Sequence, residues 1–119
     1  MAVQPQGRLP AQDVGIQVGD EAGINSVIAA SGSAPAYFFL FMQLMAEEAE
    51  RMGFSAEQAR LLVQQTALGS AQMVINNPQL DLETLRAQVT SKGGTTAEAV
   101  RSFQEQGLAN LVNDAMRAA

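Results

Sequence analysis

The sequence predicts an all-α fold. Apolar residues recur at helical spacing along most of the 119-residue chain, and no segment alternates apolar and polar residues for long enough to form a strand. Residues typical of helix ends, such as Gly53, Ser55 and Gly107, separate the helical segments. We therefore expect one domain of helices joined by short turns.

The composition points to an oligomer. Hydrophobic residues make up 47% of the chain and charged residues only 16%, which is a low charged fraction for a protein whose whole surface is solvated. A large apolar area hidden between subunits explains this balance. The net charge of −5, with basic residues scattered singly, argues against a nucleic-acid partner. Cysteine and histidine are both absent, which removes thiolate chemistry, the commonest general base and the commonest metal ligand.

The first 19 residues lack a sustained apolar period, and we interpret 1–19 as a flexible leader or an artificial extension. The helical domain then covers 20–119, and its first helix begins near Asp20. The longest apolar run, Ala34 to Met42, is too short to span a bilayer. The N-terminus lacks the basic and apolar regions of a secretory signal. We therefore expect a cytoplasmic protein that has no membrane partner.

The next helix is predicted from Pro35 to about Met52. Ser33 is its expected N-cap, and proline is tolerated in a first turn. Residues 36–45 read AYFFLFMQLM, which is apolar on every side of a helix and is typical of a fully buried helix. A domain of this size has difficulty enclosing such a helix alone. We expect a second subunit to supply the missing contacts, and Gly53 to end the helix in the left-handed conformation.

Local signals predict the remaining helices. Ser55 and Gln58 form a capping-box pattern that opens a helix running to about Asn76, where the Asn-Asn-Pro sequence ends it. Asp81 is expected to cap a short helix. A final helix of about three turns should follow Gly107.

The segment TSKGGTTAEAV, residues 90–100, is the strongest candidate for a binding site. Thr95 and Glu98 match a second capping box, so a helix should begin at Thr95 or Thr96 behind a turn formed by Gly93 and Gly94. Glycines let a ligand come close to the backbone, and a helix N-terminus favours an anion such as a carboxylate. The alternative is a structural joint with a satisfied cap. The spacing matches neither of the common phosphate-binding glycine motifs.

Other residues favour structural roles. The acidic cluster Glu47, Glu48 and Glu50 is interpreted as a solvated helix face rather than a metal site, because no histidine accompanies it. Tyr37, the only tyrosine, is expected to pack at the interface rather than to act as an acid. The composition allows no Ser-His or Cys-His nucleophile.

Four segments together resemble the C-terminal domain of pyrroline-5-carboxylate reductase, the enzyme of the last step to proline. They read SGSAPAYFFL, MG, QTALGSAQM and VTSKGGTTAEAV, at 31–40, 52–53, 65–73 and 89–100. The resemblance covers the chain from about Asp20 onward. It implies a helical dimerisation domain whose helices interlock with those of a partner, so the expected partner is a second copy of the chain.

The resemblance also implies a substrate site. Thr95 and Thr96 would offer backbone amides to the carboxylate of a small cyclic imino or amino acid. The Thr96 hydroxyl would reach the ring nitrogen or its proton, which makes Thr96 the candidate catalytic residue. The remaining substrate-binding candidates are Ser91, Gly93 and Gly94, which would shape the pocket, and Glu21, an acidic residue ten positions before the Ser-Gly-Ser segment.

Three positions depart from the pattern usual in the family. Ala34 replaces a glycine, Lys92 replaces a frequent proline, and Ile28 stands where a threonine is usual. The chain also ends before the polar tail that the family usually carries. The resemblance implies a Rossmann domain that binds NAD(P)H in the intact enzyme, but no such strand-turn-helix pattern occurs in this sequence. We therefore expect the chain alone to bind no cofactor and to be inactive.

Three interpretations remain open at this stage. The first is the dimerisation and substrate-binding domain of a pyrroline-5-carboxylate reductase, which in the intact enzyme reduces 1-pyrroline-5-carboxylate to proline. The second is a non-catalytic oligomerisation module that has kept the fold and lost the chemistry. The third is a binder of small carboxylates that has no redox partner.

Overall fold

The computed structural model describes residues 31–119. Over this range the chain forms five α-helices and no strand, which confirms the all-α prediction there. The helices are α1 (Ala34–Arg51), α2 (Ala56–Asn76), α3 (Leu82–Gln88), α4 (Thr95–Glu105) and α5 (Leu108–Ala118). The leader proposed at 1–19 and the helix predicted from Asp20 lie outside the described residues.

Helix α1 begins close to where the sequence predicts. Ser33 immediately precedes it, Pro35 lies in its first turn, and the Ala36 amide donates to the Ser33 carbonyl at 3.0 Å. Ala34 is the first helical residue, and among the described residues only glycines have positive φ. The methyl group of Ala34 therefore causes no backbone strain, although the family usually has glycine at this position.

The joint between α1 and α2 is closed by backbone and side-chain hydrogen bonds on both sides. Gly53 has φ +113, and the amides of Gly53 and Phe54 donate to the carbonyls of Glu50 and Ala49 at 3.0 and 3.2 Å. These two bonds form a Schellman motif. On the other side, the Gln58 amide donates to Ser55 Oγ at 3.1 Å, and the Ser55 amide donates to Gln58 Oε1 at 3.0 Å. Both predicted caps are confirmed.

Helix α2 ends at Asn76, as the Asn-Asn-Pro sequence predicts. A turn follows, in which the Leu80 amide donates to the Asn77 carbonyl at 3.0 Å. Asp81 then caps α3, because its Oδ1 accepts a hydrogen bond from the Thr84 amide at 2.7 Å. The segment between the two helices is therefore short and held by local hydrogen bonds.

The Asp81 cap predicts a dependence of stability on pH. Hydrogen bonds from Thr84, first from its side chain and then from its amide, lower the pKa of Asp81. A carboxyl with a lowered pKa in the folded state adds stability above its unfolded pKa of about 3.9, and this stability is lost as the pH falls through the folded pKa. The variant Asp81→Asn keeps a cap without the charge. In urea titrations from pH 6 down to pH 3, the excess unfolding free energy of wild type over this variant should disappear. A difference that is constant across this range would contradict the assignment.

The described residues fall into two compact units, 31–41 with 112–119, and 42–111. In the second unit α2 packs against α3. Only Ala59, Val63 and Leu85 are buried among all described residues, and they belong to these two helices. Such a small core leaves most apolar side chains of the described chain without cover from the chain itself.

Candidate functional site

The turn before α4 has the geometry that the paired glycines predict. The Gly94 amide donates to the Ser91 carbonyl at 3.0 Å, and Gly93 has φ +76 while Lys92 has a negative φ. This hydrogen bond, with a negative φ followed by a positive one, matches a type II β-turn, whose third residue favours glycine. Lys92 occupies the second position, where proline is common but not required. The replacement of proline by lysine is therefore compatible with the turn.

Glycine is favoured at position 94 for a different reason from that at Gly93. Its backbone is extended, with φ −86 and ψ 175, so any residue could adopt its conformation. A Cβ atom at this position, however, would lie 3.2 Å from the Ser91 carbonyl oxygen and 3.4 Å from Ser91 Cβ. The absence of a side chain at Gly94 allows the turn to fold back closely on the start of α4.

Helix α4 begins at Thr95, as predicted, but the predicted capping box between Thr95 and Glu98 is wrong. Gly94 is the N-cap residue, and it provides no side-chain hydrogen bond. The Glu98 amide donates to the Gly94 carbonyl at 3.2 Å. The sequence motif fails because Gly94 adopts the extended N-cap conformation, which places Thr95 inside the helix rather than before it.

The start of α4 is consequently open. Side-chain oxygens of Ser55 and Asp81 cap the starts of α2 and α3, whereas no side chain caps α4. The amides of the first helical residues have no partner within a helix, and they form the positive end of its dipole. Thr95 and Thr96 are both exposed. This end of α4 can therefore accept a carboxylate from outside the chain.

The Glu98 side chain turns instead toward Arg101. Arg101 Nη2 lies 2.5 Å from Glu98 Oε2, and Arg101 Nη1 lies 3.1 and 3.0 Å from the two carboxylate oxygens of Glu105. These contacts, first with Glu98 and then with Glu105, raise the pKa of Arg101. All three side chains remain mostly exposed in the single chain.

Five of the six predicted substrate-binding residues lie in this turn and helix start. Ser91, Gly93, Thr95 and Thr96 are exposed, and Gly94 is half-buried. Glu21, the sixth, lies outside the described residues. Sequence reasoning missed the extended N-cap at Gly94 and the contact of Glu98 with Arg101, and the spacing of Glu98 and Arg101, three apart on a helix, was the available signal for that contact.

A second candidate functional region is the exposed apolar surface of α1, formed by Phe38, Phe39, Leu40 and Leu44. Their side chains are 67%, 67%, 56% and 52% exposed, and α1 contains no buried residue. Successive helical residues point about 100° apart, so Phe38, Phe39 and Leu40 project in three different directions. The exposed apolar surface therefore extends around most of the helix. It is not confined to a single stripe.

Three further features of the described residues bear on function. Among residues 31–119 no cluster of potential ligands is suited to a metal, and the acidic part of α1 makes exposed bonds from Gln43 to Glu47 and from Arg51 to Glu48. This fits a solvated face. The Tyr37 hydroxyl is buried and makes no hydrogen bond with the described residues. None of the described helices has the length and apolar character needed to cross a membrane.

A family model and the sequence relatives of this chain identify the same domain. The family model named pyrroline-5-carboxylate reductase dimerisation matches residues 21–119. The pyrroline-5-carboxylate reductase of Vibrio alginolyticus is 64% identical over 102 residues, which are 86% of this chain and 38% of that protein. The corresponding enzyme of Pasteurella multocida is 52% identical over 101 residues, which are 85% of this chain and 37% of that protein.

Solved structures agree with the sequence relatives. A pyrroline-5-carboxylate reductase from Coxiella burnetii superimposes with a TM-score of 0.80 at 40% identity, covering 85% of this chain and 37% of that one. The Plasmodium falciparum pyrroline carboxylate reductase, solved with NADP bound, gives a TM-score of 0.78 at 30% identity, covering 84% of this chain and 39% of that one. The chain therefore spans less than two fifths of the length of these relatives.

Proposed function

This chain belongs to the pyrroline-5-carboxylate reductase dimerisation family, and from that premise we propose that it joins two subunits of such a reductase and holds the carboxylate of the substrate. The observation that carries the proposal is the open start of α4 behind the turn at Gly93 and Gly94. In the intact enzyme, the reaction would be the NAD(P)H-dependent reduction of 1-pyrroline-5-carboxylate to proline.

The dimerisation part of the proposal rests on α1. Membership of a dimerisation family implies a homo-oligomer. A partner that touched one face of α1 would leave some of Phe38, Phe39 and Leu40 in water, because these residues project in different directions. A partner whose helices surround α1 covers all of them. We therefore favour an interlocked dimer over two helices that merely lie side by side.

The substrate-binding part rests on the chemistry of the α4 start. The amides of Thr95 and Thr96 provide hydrogen-bond donors at the positive end of the helix, where a carboxylate is favoured. The Thr96 hydroxyl is on an exposed residue and can exchange a hydrogen bond with the ring nitrogen or its proton. Gly93 and Gly94, which directly precede these groups, carry no side chain that could block a ligand. Together these groups would orient the C=N bond of the substrate.

The described residues do not fit a nicotinamide cofactor. A dinucleotide site of the Rossmann type needs a strand, a glycine-rich turn and a helix N-terminus in sequence, and residues 31–119 contain no strand. We assign no step of hydride transfer to these residues. On this proposal their contribution is to bind and orient the substrate, and the chain by itself does not oxidise NADPH.

Replacing Thr96 by alanine tests the site. If the hydroxyl makes a hydrogen bond with the ligand, Thr96→Ala should weaken proline binding by about 1 kcal/mol, roughly fivefold. The measurement is a titration of the isotopically labelled chain with proline, followed by amide chemical shifts of Thr95 and Thr96. Thr66→Ala is the matched control, because the Thr66 hydroxyl bonds to the Leu62 carbonyl within α2 at 2.7 Å.

The alternatives give different results in the same titration. A stable dimer in which proline shifts no amide near Thr95 would favour the oligomerisation module without chemistry. Binding that is unaffected by Thr96→Ala would remove the role assigned to the hydroxyl. Binding of many unrelated small carboxylates with equal affinity would favour the general carboxylate binder.

A further inference from the structure

Helix α4 has two possible starts in this sequence. In the structure Gly94 is the N-cap and Thr95 is the first helical residue. If the helix began one residue later, Thr95 would be the N-cap and Glu98 would occupy the third helical position, as a capping box requires. The same motif forms between Ser55 and Gln58 at the start of α2, so the two residue types are suited to it.

The two starts differ in what they leave available to a ligand. In the capping box the Glu98 carboxylate would accept a hydrogen bond from the Thr95 amide, and the Thr95 hydroxyl would accept one from the Glu98 amide. The Glu98 carboxylate would then bind the Thr95 amide, which the open start leaves available to an external carboxylate. Glu98 is therefore an internal competitor of the same chemical class as the proposed ligand.

Arg101 holds this competitor in the observed position. The guanidinium contacts Glu98 at 2.5 Å through Nη2, while its other terminal nitrogen, Nη1, contacts both carboxylate oxygens of Glu105. Arg101 lies three residues beyond Glu98 on α4, so the direct contact draws the Glu98 carboxylate toward the middle of the helix. The start of the helix remains open while this contact lasts.

We propose that Arg101 is a positioning residue that keeps Glu98 from capping α4 and so keeps the helix start available for the substrate carboxylate. The effect on ligand binding rests on the proposed function, but the effect of Arg101 on the choice between the two helix starts is independent of it. Exposed ion pairs and helix caps are both weak interactions, so losing the ion pair shifts part of the population from the open start to the capping-box start. The apparent affinity for the ligand then falls in proportion to the fraction of chains whose helix start remains open.

The test uses the full chain labelled with ¹³C and ¹⁵N, and the variant Arg101→Met. The Thr95 Cα and Cβ shifts should move from helical toward extended values, and exchange of the Thr95 amide with solvent should slow. Proline affinity should fall by up to about twofold, which is the largest population shift that losing a helix ion pair of ~0.5 kcal/mol can produce. Adding Glu98→Ala to Arg101→Met should restore both the shifts and the affinity, because alanine has no carboxylate to accept the hydrogen bond of the Thr95 amide and complete the capping box.

Glu105→Ala is the matched control, since it removes the other carboxylate on Arg101 and leaves the contact with Glu98. It should keep the Thr95 shifts and the affinity of wild type. Helical Thr95 shifts in Arg101→Met would overturn the proposal, and so would an affinity that stays low in the double variant. If wild type binds no proline, the proposed function fails, while the Thr95 shifts still decide which helix start Arg101 favours.

Discussion

Replacement of Phe39 by aspartate should abolish self-association of the chain. Phe39 is 67% exposed in the single chain, and in an interlocked dimer it would be covered by the partner. Its burial is worth about 1.5–3 kcal/mol, and burying an unpaired carboxylate costs several kcal/mol more. The sum, about 5 kcal/mol, raises the dissociation constant by more than a thousandfold.

Light scattering over a range of concentrations, together with circular dichroism, measures this effect. Wild type should have the mass of a dimer or a multiple of dimers, and Phe39→Asp should be monomeric with a reduced helical signal. Phe39→Leu keeps an apolar side chain and should still associate. Glu50→Lys changes a charge in the polar half of the same helix and should leave the mass unchanged. An aspartate variant that associates as well as wild type would place the subunit contact elsewhere.

Replacement of Gly93 by alanine should impair both stability and ligand binding. Gly93 has φ +76, a conformation that costs an L-residue with a side chain about 1–2 kcal/mol. Relief of that strain would move the turn and the adjacent amides of Thr95 and Thr96. We therefore expect a lower free energy of unfolding, by about 1–2 kcal/mol, and weaker binding of proline.

Gly107→Ala is the control that separates these two effects. Gly107 lies between α4 and α5 with φ +87, so alanine suffers a similar strain there, at the other end of α4 from the substrate-binding candidates. It should lose a similar amount of stability and keep the proline affinity of wild type. Equal ligand affinities for the two variants would show that the geometry of the Gly93 turn does not matter for binding. Denaturant titration and amide-shift titration provide the two measurements.

Short sequence patterns predicted the helix boundaries well because the interactions that end each helix join residues close in sequence. Gly53, Ser55 and Asp81 each act within a few residues of their own position, as a Schellman glycine, a capping-box serine and a carboxylate cap. These interactions need no information from distant parts of the chain. The ends of α1, α2 and α3 could therefore be read from the sequence to within about two residues.

The start of α4 shows where such reading fails. Thr95 and Glu98 match the capping-box pattern as well as Ser55 and Gln58 do, but the pattern does not include the competitors of each residue. Gly94 can serve as N-cap without a side chain, and Arg101 offers Glu98 another partner. Choosing between these arrangements requires their relative free energies, which a motif does not contain.

The sequence indicated that α1 needs contacts from a partner, but not which residues would provide them. The apolar sequence of residues 36–45 indicated that the chain alone cannot enclose this helix, and the exposure of Phe38 and Phe39 agrees with that. Which residues of a partner would lie against them depends on contacts between chains, which no local pattern encodes. The same limit applies to Glu21, whose proposed role depends on where the chain before residue 31 lies.

The doubly capped joint between α1 and α2 has a consequence for the order of folding. The hydrogen bonds of its two caps fall between Ala49 and Gln58, so they close through loops of only a few residues. Contacts of such short sequence separation form in microseconds or less, long before two chains meet at ordinary concentrations. We expect each newly made chain to present a preformed helical corner to its partner, so that the encounter of the chains, rather than the folding of this corner, limits the rate of assembly.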